Sequence, residues 1–140
     1  MENNWRQKSL ESLEKKTWPA LSSDEGSYLI KTCNSLRRKQ LQDFTIEDLR
    51  IMIGQEIGLY FLIPLAIETL TDNLFAEGDM YEGDMYEGDL LKNVLDLDTK
   101  FWDYNKNYWQ QLNEIIKDRR QEIAKMKFDI SKFDKCKYRQ

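Results

Sequence analysis

Large apolar residues are sparse along this chain except between Phe44 and Leu70, FTIEDLRIMIGQEIGLYFLIPLAIETL, where they crowd together. Ile46, Leu49, Ile53, Ile57, Tyr60 and Phe61 recur at steps of three or four, which places them on one stripe of an α-helix. From Ile57 to Ile67 the chain is apolar nearly all round, so this part must be buried. Thr45 and Asp48 have the spacing of a capping box, and Phe44 and Leu49 stand where a hydrophobic staple would sit, which fixes the start. Gly54 and Gly58 lie four apart on one face, where another element can approach closely. Pro64 cannot donate to the carbonyl of Tyr60 and its ring crowds that turn, so the pattern predicts a kink or restart near Ile63. Glu56 and Glu68 enclose only eleven uncharged residues, too few for a membrane span.

Weaker helical patterns flank this core. Trp5 to Lys16 predicts a short helix capped by Ser9, with Leu10 and Leu13 inward and a stop at Trp18-Pro19. Ser22 and Glu25 signal a second start, after which Leu29, Cys33 and Leu36 keep one face. Tyr28, Leu29 and Ile30 are also compatible with a strand, as the alternative to this helix. Arg37, Arg38 and Lys39 form a basic corner, suited to the negative end of that helix. After Asp98, the aromatic residues Phe101, Trp102 and Tyr104 lead into a long amphipathic helix from about Asn107 to Met126. Its inward stripe is Tyr108, Leu112, Ile115, Ile116, the stem of Arg119, Ile123 and Met126. The tail from Lys127 alternates weakly, as a frayed end or a short edge strand would.

Between core and C-terminal helix the chain reads GDMYE GDMYE GDLLK from Gly78, a five-residue unit present twice intact. Five matches neither helix nor strand, and each unit supplies a turn-permitting glycine, so residues 77–89 predict a loop of consecutive turns. Asp89 then caps a helix containing Leu90, Leu91, Val94 and Leu95. The whole is one domain, residues 1–140: an all-α bundle around a central kinked hydrophobic helix.

Charge changes the picture. The net charge of −4 conceals a basic first part (residues 1–43, 8 basic and 6 acidic), an acidic middle (44–98, 2 and 13) and a basic end (99–140, 11 and 6). An acidic middle repels phosphate and anionic lipid and attracts a basic protein, so nucleic acid and membrane are poor partners. No histidine is present, which removes the usual general base and the commonest metal ligand, and no phosphate-cradling loop or GxSxG occurs. The chain therefore reads as a non-enzyme without a cofactor. Cys33 and Cys136 lack a CxxC or His neighbour and read as free thiols, the four tryptophans read as packing, and a polar start without a leader places the protein in the cytoplasm.

The acidic loop is the candidate site. Glu77, Asp79, Glu82, Asp84, Glu87 and Asp89 repel one another and keep the segment exposed, as recognition needs. Met80 and Met85 add adaptable surface, and Tyr81 and Tyr86 are candidate anchors. The spacing fails the EF-hand pattern, and the bland alternative is that one unit is a tolerated duplication serving as solvated spacer.

These residues also carry a resemblance. EDLRIMIGQEIGLYFLIPLAIETL, an acidic Tyr-Glu-Gly-Asp-Leu-Leu passage, VLDL and a Phe-Trp pair resemble the immunity proteins of bacterial contact-dependent growth inhibition (CDI) systems. The weaker SLESLEKKTW start and SLRRKQL corner bring the resemblance to residues 9–103. Its most specific part is EDLR, IGQ, IGL and PLA in that order; an extra GDMYE unit departs from the family pattern, so either Asp79 or Asp84 holds the place of the family's acid. The resemblance implies a cytoplasmic monomer that binds the toxic C-terminal domain of its cognate effector one to one and neutralises it. Such toxins are commonly nucleases. Two other functions fit the residues: a helical adaptor docking a basic protein through the same surface, and a metal-dependent enzyme built on the loop carboxylates.

Overall fold

The computed structural model describes residues 3–17, 27–77 and 88–136. Among these residues the chain forms helices α1 (Leu10–Glu14), α2 (Tyr28–Leu36), α3 (Ile46–Gly54), α4 (Leu59–Asp72), α5 (Asp89–Leu95), α6 (Thr99–Tyr104), α7 (Lys106–Ile116), α8 (Arg120–Lys125) and α9 (Ser131–Lys135). They contain no sheet. An isolated bridge between Ser9 and Gln40 ties the start of α1 to the segment before α3.

The predicted starts at Ser9 and Thr45 are present. Ser9 Oγ accepts from the Ser12 N–H at 3.2 Å, while Trp5–Gln7 is a separate 3-10 turn and Lys15, at φ +55°, ends α1 before Lys16. The Ser22–Glu25 signal lies outside the described residues. Within them Ser27 caps α2, and residues 28–30 are helix, not strand. At α3 both bonds of the capping box form, Asp48 N–H to Thr45 Oγ1 at 3.1 Å and Thr45 N–H to Asp48 Oδ2 at 3.0 Å.

The core helix breaks elsewhere than Pro64. The interruption falls over residues 55–58, where Glu56 (φ +56°) and Gly58 (φ +63°) take left-handed conformations, and Pro64 sits inside α4. Two contacts explain the difference. A Cβ on Gly58 would come within 2.6 Å of Leu10 Cδ1, so the glycine both permits the turn and lets α1 close on the helix pair. The carbonyl that Pro64 deprives of its N–H, that of Tyr60, accepts from Tyr108 Oη at 3.0 Å, so the lost hydrogen bond is replaced and the helix does not restart there.

α4 is the centre of the molecule. Leu62, Ile63, Ala66 and Leu70 are buried with Met52 and Ile53 of α3, Leu90, Leu91, Val94 and Leu95 of α5, and Leu112 and Ile116 of α7. Tyr60, predicted inward, is 49% exposed, and Leu29, in the first turn of α2 and on the same face as Cys33 and Leu36, is exposed too. The predicted long C-terminal helix divides into α7 and α8 around residues 117–119. The tail is helical instead of an edge strand. Asp129 Oδ1 accepts from both the N–H (3.0 Å) and the hydroxyl (2.7 Å) of Ser131, starting α9. Phe133 then enters the core, stacked on Trp109 (5.0 Å) and edge-on to Trp102 (5.2 Å), while Trp109 Nε1 donates to the Phe133 carbonyl at 2.9 Å. Cys33 and Cys136 are buried free thiols.

Candidate functional site

The acidic stretch leaves the core at the end of α4 and returns at α5. Asn73 caps α4, its N–H reaching the Thr69 carbonyl at 2.9 Å, and its side chain accepts from the Phe75 N–H at 3.2 Å. Leu74 and Ala76 are buried, which fixes the departing strand of chain. On the return side the Gly88 N–H donates to the Phe75 carbonyl at 3.1 Å, so residues 76–87 span a gap already closed by a backbone hydrogen bond. Gly88 has φ +79°, and a Cβ there would meet Phe75 and Phe128 at 3.1 Å. The guanidinium of Arg119 lies 5.2 Å from the Phe75 ring centroid, and Glu122 holds Arg119 through two hydrogen bonds of 3.0 and 2.8 Å.

Of the predicted contact residues, Glu77 and Asp89 lie within the described structure. Asp79, Tyr81, Glu82, Asp84, Tyr86 and Glu87 lie outside it. Glu77 is half-buried, with an Oε2 that has no hydrogen-bond partner among the described residues. Asp89 is the first residue of α5, one position later than the cap predicted, since Gly88 takes that place. Its carboxylate is 15% exposed and faces Arg50 Nε at 3.5 Å, while Arg50 also bonds Glu47. Asp89 thus anchors the loop base, and its charge also suits the positive end of α5.

Several cations of the basic segments are engaged within the molecule. Lys39 pairs with Asp48 at 2.6 Å and Arg38 with Glu11 at 3.4 Å, which neutralises much of the corner after α2. In the C-terminal third Lys117 pairs with Glu114, Arg119 with Glu122, Arg120 with Asp134 and Lys132 with Asp96. Among the described residues no three Cys, Asp or Glu side chains gather as a metal site requires, and no helix is long and apolar enough to cross a membrane.

Residues 12–85, just over half of the chain, match the family model of the CDI immunity proteins. The chain belongs to that family. No curated relative and no solved structure matches it. In this CDI immunity protein the matched stretch covers α1 from its third residue to the end of α4 and runs into the acidic segment. It is shorter than the span 9–103 over which the resemblance reads, and α5 to α9 lie beyond it. Those later helices still belong to the same core, since α3 packs on α5, α4 on α7, and α6 on α7 and α9.

Proposed function

We propose that this immunity protein binds the toxin domain of its cognate CDI effector in a one-to-one complex in the cytoplasm and neutralises it, and that the toxin is a nuclease. Family membership supports toxin binding; the charge arrangement supports the choice of surface. Glu77, Asp79, Glu82, Asp84 and Glu87 face the toxin, Tyr81 and Tyr86 act as anchors, and Asp89 holds the base through Arg50. The observation that carries this reading is the closed, glycine-dependent loop base at Phe75 and Gly88, which brackets a segment rich in carboxylates. A nuclease needs a positive surface to hold phosphates, and such a segment competes for that surface.

The test compares wild type with a chain carrying Glu77→Gln, Asp79→Asn, Glu82→Gln, Asp84→Asn and Glu87→Gln, leaving Asp89 in place. Association with the toxin domain is followed across a salt series. The variant is expected to associate about tenfold more slowly at low salt and with a flatter salt dependence, because steering scales with the opposed charge. Coincident rates and slopes would remove the loop from the interface.

A further inference from the structure

We infer that a groove at the far end of α5 is a second contact for the same partner and takes one basic side chain of the toxin domain, an inference that rests on the toxin binding proposed above. The groove has a volume of about 370 Å³, toward the small end of the roughly 300–1,000 Å³ typical of ligand clefts. Glu56 reaches it from the junction of α3 and α4, and Asp96 and Asp98 from the junction of α5 and α6. Lys132 and Lys135 of α9 complete its rim. Ligand clefts for neutral molecules are lined mainly by apolar side chains; here Ile53 and Leu97 are the apolar part of a lining that is otherwise mostly polar.

The charges within the groove are unequally matched. Lys132 Nζ lies 3.2 Å from Asp96 Oδ1 and 3.3 Å from the Asp96 carbonyl, so this carboxylate already holds an ammonium group. Glu56 and Asp98 are held differently. Glu56 Oε1 accepts from the Asp98 N–H at 3.3 Å, and Asp98 Oδ1 accepts from the Lys100 N–H at 2.9 Å. Neither has an ion-pair partner among the described residues, and both are exposed. Gly54, helical and without a positive φ, also lines the groove. Glycine in a helix costs about 1 kcal/mol against alanine, and the missing side chain leaves the cleft open and Asn93 free to donate to the Arg50 carbonyl at 3.0 Å. With Lys132 committed to Asp96, the remaining Glu56, Asp98 and Lys135 leave the groove one negative charge in excess, which matches an incoming lysine or arginine. A partner attracted by the acidic middle of this chain is basic and supplies one.

A purely structural role for these carboxylates is separable from a binding role. Glu56→Gln and Asp98→Asn keep oxygens that accept the same backbone N–H groups, and asparagine caps a helix as well as aspartate does. The double variant is expected to keep the wild-type melting midpoint while dissociating from the toxin domain at least tenfold faster. The loop variant should chiefly slow association instead. Lys135→Glu, at an exposed position of α9, is expected to move binding the other way, toward tighter association, and it tests the groove without touching either junction. In a scan of the toxin's surface lysines and arginines to alanine, one residue should show strong non-additivity with Glu56→Gln/Asp98→Asn. Wild-type dissociation by the double variant, or no coupled toxin residue, would overturn the groove contact while leaving toxin binding intact. Failure of the wild-type chain to bind the toxin domain would overturn both.

Discussion

A single hydroxyl decides how a proline is accommodated at the centre of this fold. Tyr108 donates to the Tyr60 carbonyl that Pro64 leaves without its helical partner, and α4 continues through the proline. Tyr108→Phe should expose the cost of leaving this part-buried acceptor without its donor, about 1 kcal/mol, read as a lowered melting midpoint. Pro64→Ala restores the missing N–H, so the penalty of Tyr108→Phe should shrink in that background. The same hydroxyl predicts an alkaline effect. Burial, and then the nearby Tyr60 hydroxyl, raise the Tyr108 pKa above its ordinary value of 10.0. Its contribution is fully present below pH 10, where both states hold the proton, and is lost as pH rises through the higher folded value. Stability should therefore fall above about pH 10, and unfolding measured across that range should show a shallower fall in Tyr108→Phe.

At the scale of elements, local chemistry was readable where both partners sit within a turn. Thr45 with Asp48 and Ser9 with Ser12 show this, because a cap needs only residues three apart. The proline is illegible for the opposite reason: the donor that satisfies the Tyr60 carbonyl lies 48 residues from Tyr60 and no local pattern announces it. The glycines at 54 and 58 correctly signalled close approach, but not that Leu10 is what approaches Gly58. The tail shows a third kind of failure. Its weak alternation suits a strand, yet the Asp129–Ser131 turn and the inward position of Phe133 select α9. Phe133→Ala should cost about 3–5 kcal/mol, since it empties the space between Trp102 and Trp109. Denaturant unfolding would show whether α9 is that integral; a change below 1 kcal/mol would mean that the tail is dispensable.

For the whole molecule, the charge of each third was legible in the sequence, but its fate was not. The C-terminal third carries more basic than acidic side chains, yet Lys117, Arg119, Arg120 and Lys132 all face carboxylates of the same chain. The groove escaped the sequence reading because Glu56 and Asp98 stand 42 residues apart and meet only when two helix junctions come together. The acidic run at residues 77–89 was visible because its charges are contiguous. A scaffold that pins both ends of that run and pairs cations such as Lys39, Arg120 and Lys132 within the molecule leaves the acidic run as the surface it offers a partner. The most direct test is a calorimetric titration of the cognate toxin domain with this protein, with toxin activity assayed at each step. The account predicts a single transition at one equivalent and activity that reaches zero there; no heat of binding and undiminished toxin activity would contradict it.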